Sequence, residues 1–208
     1  MKTAFINQKL ATVWKSIRPW VIVLIVFVVL RYTGILGGIS YVTGSLLLKT
    51  GAMNANTTEP VVAKSFDYNF KVKDLNGSVI DFKDFKGKTI FLNVWATWCG
   101  PCRFEMPSIQ NLYNKVDKEK IVFVMLAVDD RNQFEKVVNY VKEKEFTFPV
   151  YIPHEYLPEQ LTVRTIPTTF VISPAGKIAA HETGAANYDT EEFKTFLDGL
   201  TVDGKKKE

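Results

Sequence analysis

Both cysteines of the chain lie within four residues, Cys99-Gly100-Pro101-Cys102, immediately after an apolar run, 88–95 (KTIFLNVW), that reads as a buried strand. Residues 101–116 then repeat apolar side chains at helical spacing. A thiol at such a strand-to-helix junction meets the unpaired N–H groups of the first helical turn and the positive end of the helix dipole, and both stabilise a thiolate. Cys99 is therefore the candidate nucleophile. Cys102, one helical turn on and deeper in the packing, is the candidate resolving thiol. Gly100 lets a partner's backbone approach, and Pro101 sits in the first helical turn, where its missing N–H costs little.

Other uses of two cysteines fit less well. A two-residue loop gains little closure entropy from a purely structural disulfide, and the site reads as exposed. Zinc would need two more cysteines or paired histidines, and His154 and His181 lack ligand spacing, so no metal and no cofactor are expected.

The flanking sequence alternates strand and helix. Residues 70–73 and 79–82 are strand signals around the turn dipeptide Asn76-Gly77. A second central strand is expected over 121–128 (IVFVMLAV), followed by an amphipathic helix over 133–144 with Phe134, Val137, Val138 and Val141 on one face. Strand 148–152, a short helix near 155–161, strands 168–172 and 177–181 about the turn Pro174-Ala175-Gly176, and a closing helix over 190–200 complete the series. The expected fold is α/β, a mixed central sheet covered on both faces in three layers.

The segment Trp95-Ala96-Thr97-Trp98-Cys99-Gly100-Pro101-Cys102 resembles the active-site signature of the thioredoxin superfamily, in the strand-to-helix context the signature requires. Downstream, Thr165-Ile166-Pro167-Thr168-Thr169-Phe170 is similar to that family's cis-proline segment. The resemblance implies a thioredoxin-like fold, a redox-active Cys99–Cys102 disulfide, and substrate contacts from Trp98, Gly100, Pro101, Ile166 and Pro167, with Trp95 in the core. An N-terminal hairpin, an inserted helix and strand, and Glu105 three residues after Cys102 are similar to the anchored TlpA, ResA and CcmG (DsbE) group, over about 140 residues. That likeness implies a tuning role for Glu105 in cysteine ionisation; the residue also reads as a solvated carboxylate near a helix N-terminus. One departure stands out. Where thioredoxin carries a buried Asp, this chain has Asn93, which cannot take up a proton.

Charge and hydropathy set the N-terminus apart. Six of the 26 Lys and Arg residues and none of the 22 Asp and Glu fall in the first 58 residues, leaving the remainder at a net −2. A nucleic-acid reading, which needs a basic patch on the folded surface, thereby loses most of its support. Residues 20–30 (WVIVLIVFVVL) are uninterruptedly apolar, shorter than the roughly 20 needed to span a bilayer, so the expected transmembrane helix draws on flanks 17–19 and 32–39, with Arg31 snorkelling. Lys2, Lys9, Lys15 and Arg18 place the N-terminus in the cytoplasm and export the rest. A cleaved signal peptide is the competing reading, although no A-x-A pattern follows the run and Gly44-Ser45 is a weak cleavage candidate. The expected division is an anchor over 1–49, a linker over 50–65, the thioredoxin-like domain over 66–201 and a charged tail over 202–208.

Together these readings describe an oxidoreductase on the bacterial cytoplasmic membrane, single-pass, with its redox domain in the periplasm. Gly100-Pro101 is the dipeptide of reducing thioredoxins, so a reductant of disulfide-containing exported proteins, resupplied by a transmembrane electron donor, is expected; the resemblance to the ResA and CcmG group implies apocytochrome c among those partners. A peroxiredoxin-like peroxidase shares the fold but wants a Thr where Ala96 stands. A non-catalytic docking or chaperone module is the other alternative, and it would not require two reactive cysteines.

Overall fold

The structure, a computed structural model, describes residues 2–32, 53–55 and 65–203. The chain divides into two compact units, 1–42 and 43–208. In the first, helix α1 (Lys2–Tyr32) runs for 31 residues with Pro19 inside it, and the apolar side chains at 22–29 are all exposed. The span expected from residue 17 to 39 lies partly outside the described residues. Among those described, no helix is long and apolar enough to cross a membrane.

In the second unit the apolar runs become strands. Strands β1 (Lys71–Asp74) and β2 (Val79–Asp81) form a hairpin, its turn made by Gly77 at φ +92°, a value few side-chain-bearing residues adopt. Strand β3 (Thr89–Trp95) is buried along its whole length and leads into helix α2 (Gly100–Lys115); β4 (Ile121–Ala127) follows, then α3 (Phe134–Glu143) and β5 (Val150–Pro153). Strands β6 (Thr168–Ile172) and β7 (Ile178–Thr183) and helix α4 (Glu191–Asp203) close the chain. The sheet order is β2-β1-β5-β4-β3-β6-β7, parallel at β3·β4 and β4·β5 and antiparallel elsewhere.

Two successive crossovers, β3-α2-β4 and β4-α3-β5, step in the same direction across the sheet. Right-handedness puts both helices on one face. Accordingly Met106, Ile109 and Leu112 of α2, Val137 and Val141 of α3, and Phe193 and Leu197 of α4 share one cluster with Phe91, Trp95 and Phe123. The opposite face, Ile90, Leu92, Val94, Val124 and Phe170, is covered by Phe66, Tyr68 and Phe70, by the 3-10 turn Phe82–Phe85 and by Leu161. Three layers are present as expected, but the third is an aromatic segment and short turns, not a helical layer. Phe70 and Phe82 stack at 4.3 Å between ring centroids, with Phe66 5.5 Å from Phe82.

The segment 53–55 belongs to the stretch read as a linker, yet it is docked. Ala55 N–H donates to Asn187 O at 3.1 Å, Asn187 N–H donates to Met53 O at 2.7 Å, and Ala55 is buried in the helix-side core.

Candidate active site

The cysteine pair sits where the sheet topology exposes strand ends. Parallel β3 and β4 both finish at this edge, and the four residues after Trp95 turn the chain into α2. Thr97 fixes the turn, since its backbone N–H donates to Asp129 Oδ2 at 3.0 Å and its hydroxyl to Asp129 Oδ1, tying it to the loop after β4. Cys99 is the N-cap of α2 in extended conformation, and its Sγ accepts from the Cys102 N–H at 3.2 Å. That contact is what the helix-start argument requires: a sulfur facing an orphan N–H of the first turn.

Cys99 and Cys102 form a disulfide with Cα atoms 5.3 Å apart. Cys102 is fully buried and Cys99 retains only 4% of its surface, so the pair is less exposed than its sequence context implies. The exposed shell around it is Trp98, 62% accessible, with Gly100 and Pro101. Across the site the Ile166-Pro167 peptide is cis, and the Ile166 carbonyl oxygen lies 3.7 Å from Cys99 Sγ. In the disulfide this is a van der Waals contact, because the sulfur carries no hydrogen. Ile166 is half-buried and Pro167 buried. All the residues singled out from the sequence thus converge on one edge or on the first turns of α2. His181 lies apart, stacked on Phe170.

Glu105 settles between its two readings in favour of the interior. It is fully buried; Asn93 Nδ2 donates to its Oε1 at 2.9 Å and the Ala186 N–H to its Oε2 at 3.1 Å. Burial pushes its carboxyl up to about 8, against the two hydrogen bonds that pull it down, and the charge of Glu182 adds to the rise. The solvated-carboxylate reading fails because α2 presents this position to the sheet. Position 105 follows Cys102 by three, so both belong to the buried side of one helix.

Several groups around Glu105 carry no signature in the sequence. Asn93 Nδ2 also donates to Thr169 Oγ1 at 2.9 Å, and the Tyr188 hydroxyl donates to the same oxygen at 2.7 Å. Tyr188 is buried and its phenol is raised well above its ordinary value by desolvation, with the Glu105 charge adding to it. The Ser108 hydroxyl accepts from the Tyr188 N–H at 3.2 Å. Thr169 is visible only as part of the proline segment, whereas Ala186 acts through its backbone, which no residue type announces.

A buried carboxylic acid, two vicinal sulfurs at a helix N-terminus and an adjacent extended backbone form a constellation suited to exchanging a disulfide with a second polypeptide. The chain matches the AhpC/TSA family over residues 65–181. It is 37% identical over 134 residues to the thiol-disulfide oxidoreductase ResA of Bacillus thuringiensis subsp. konkukian, a stretch covering 64% of this chain and 75% of that one. Identity to the ResA of Bacillus subtilis is 36% over 117 residues, 56% of this chain and 64% of that. The crystal structure of StoA from Bacillus subtilis aligns with a TM-score of 0.51 at 27% identity, over 66% of this chain and 98% of that one. With the cysteine pair and strands β1 to β6 inside the matched region, the chain belongs to the AhpC/TSA family and is a thiol-disulfide oxidoreductase.

Proposed function

We propose that the protein is a membrane-anchored reductant working outside the bacterial cytoplasm, and that its substrates are specific disulfides of exported proteins, the cysteine pairs of apocytochrome c before haem attachment foremost. The observation that carries the redox part is the Cys99 sulfur at the N-cap of α2, 3.2 Å from the Cys102 N–H and beside the Ile166 carbonyl. A substrate strand laid along Ile166-Pro167 brings its disulfide to that sulfur, with Trp98, Gly100 and Pro101 as the surrounding contact surface.

In the reducing direction the Cys99 thiolate attacks one substrate sulfur. A Cys99–substrate bond forms, the substrate disulfide breaks, and its second sulfur leaves as a thiolate. Cys102 then gives its proton to Glu105 and attacks Cys99 Sγ; the internal disulfide forms and the first substrate sulfur leaves. Two electrons have passed to the substrate, and the pair ends in the oxidised form seen here. Glu105 suits this step because a carboxyl held near 8 takes up and releases protons in the range where thiols ionise. Each cycle consumes two electrons, so a transmembrane electron donor must resupply them.

The anchor is supported by the apolar run 20–30, by the basic residues Lys2, Lys9, Lys15 and Arg18 ahead of it, and by the exposure of the apolar side chains at 22–29 on every side of α1. A compartment-sensitive reporter fused after Glu208 tests the topology: signal is expected only outside the cytoplasm, and a cytoplasmic signal overturns it. The direction of electron flow is tested by the reduction potential. A value at or below roughly −200 mV is expected, whereas one near about −120 mV would make the protein an oxidant. Normal holo-cytochrome c in a deletion strain would remove the maturation role and leave a general reductase.

A further inference from the structure

Asn93 cannot carry a proton, and the oxidoreductase reading gives it no part. Its setting is specific. It lies fully buried on β3, paired across the sheet with Met125 on one side and Thr169 on the other. Its Nδ2 donates to both Glu105 Oε1 and Thr169 Oγ1, each at 2.9 Å, while its Oδ1 is buried with no hydrogen-bond partner among the described residues. A buried acceptor left unpaired is costly, so an amide that orphans its oxygen in order to aim its nitrogen at a carboxylate needs a reason.

The reason lies in the two ends of the amide. Its NH2 can only donate and its oxygen can only accept, and the two have nearly the same size. A carboxylate at Glu105 wants the donor. A carboxylic acid protonated on Oε1 wants an acceptor, and Asn93, already on that oxygen in a site closed to solvent, can supply one. A half-turn of the amide puts Oδ1 where Nδ2 now stands, 2.9 Å from both oxygens, where it accepts the Glu105 O–H and the Thr169 O–H. Thr169 continues to accept from the Tyr188 hydroxyl. Either orientation leaves one amide atom unpaired, so the turn loses no hydrogen bond.

We propose that Asn93 is a positioning residue for Glu105, an amide that reverses end for end as Glu105 gains or loses its proton, so that a buried carboxyl is hydrogen-bonded in both states. The proposal rests on the reading of Glu105 as the proton acceptor of the cysteine pair. It gives a physical meaning to the chain's departure from the buried Asp of thioredoxin, since the proton resides on α2 and β3 supplies a partner that adapts to it. The other ionisable groups facing this position are Glu182 on β7, cross-strand from Thr169, and Tyr188 in the loop before α4; Cys102 on α2 is held in the disulfide.

The test uses the oxidised full-length protein, in which neither thiol titrates, and reads the Glu105 carboxyl carbon and the Asn93 side-chain amide by NMR as pH is raised. Both signals are expected to move with one midpoint, and the amide signal is expected to stay flat in Glu105→Gln. In Asn93→Ala the Glu105 midpoint is expected to shift by less than about one pH unit, because the carboxylate and the carboxylic acid each lose a partner, whereas a larger rise would mark Asn93 as a fixed donor and overturn the proposal. An Asn93 amide that stays still while wild-type Glu105 titrates overturns the proposal, as does one that still titrates in Glu105→Gln, which would trace the movement to Glu182 or Tyr188. The wild-type titration needs no variant to fold. It is also independent of disulfide exchange, so a failure of Glu105 as the proton acceptor would show separately, in an unchanged pH dependence of thiol alkylation in Glu105→Gln.

Discussion

The backbone N–H of Ala186 donates to Glu105 Oε2 at 3.1 Å, which ties the loop after β7 to the helix that begins with both cysteines. Gly184 makes the approach possible: at φ +92° it turns the chain out of β7, and its own N–H donates to Pro167 O at 2.9 Å. One short loop therefore touches the proline segment and the buried acid, linking the surface where a substrate strand would lie to the proposed proton acceptor beneath it.

Glu105 makes stability depend on pH in a direction opposite to most carboxylates. Its folded value of about 8 lies above that of an unfolded glutamate, roughly 4.3, so between those limits the folded chain holds one more proton than the unfolded chain. The stabilisation is complete below about pH 4.3 and is lost as pH rises toward 8, at up to roughly 1.4 kcal/mol per pH unit. Denaturant titrations of the oxidised protein from pH 5 to 8 are expected to show wild type losing stability relative to Glu105→Gln across this window. Parallel curves would mean that Glu105 is ionised throughout.

The depths of the two sulfurs bear on the division of labour proposed for them. Cys99 keeps a sliver of exposure beside Trp98 and the Ile166 carbonyl, and Cys102 has none. Cys102→Ala is expected to accumulate mixed disulfides on Cys99 that persist on non-reducing gels, while Cys99→Ala accumulates none. The reverse pattern would exchange the two roles. Captured partners would also identify the substrate.

Thr169 holds two donors at once, the Asn93 amide and the Tyr188 hydroxyl. Thr169→Val keeps the shape and strands both in a buried site, at about 1–3 kcal/mol for each unsatisfied group. The melting temperature is expected to fall by roughly 5 °C or more, given about 2–4 °C per kcal/mol in a domain of this size. A variant as stable as wild type would show that Tyr188 and Asn93 find other acceptors.

How legible was this arrangement in the sequence? The strands over 88–95, 121–128 and 168–172 declare themselves as unbroken apolar runs because they are buried on both faces, and the cysteine pair follows from its position between strand and helix. The third layer is harder to read. Phe66, Tyr68 and Phe70 alternate like a strand, yet they pack as an aromatic cluster with Phe82 instead of extending the sheet ladder. The environment of Glu105 is harder still. Spacing places it beneath Cys102, but its burial depends on Asn93, twelve residues earlier, and on a backbone group 81 residues later. Long-range partners of that kind leave no periodic trace.

The segment 53–55 offers the last test, because composition assigns it to a linker and the structure docks it. Asn54 and Asn187 form an isolated bridge, Asn187 Nδ2 donates to Asn54 Oδ1 at 3.1 Å, and the Ala55 side chain is 7% exposed within the core cluster that contains Cys99 and Ala186. Ala55→Asp puts a carboxylate into that apolar contact without a partner. The segment can escape the penalty by lifting off, so the cost is capped at what docking contributes, about 1–3 kcal/mol for three hydrogen bonds and a buried methyl. The full-length variant is expected to melt roughly 2–12 °C lower. Amide exchange is expected to quicken at Asn187, whose N–H loses the Met53 carbonyl, while the β3 amides keep their protection. Unchanged exchange at Asn187 would show that residues 53–55 contribute nothing to holding the loop that reaches Glu105.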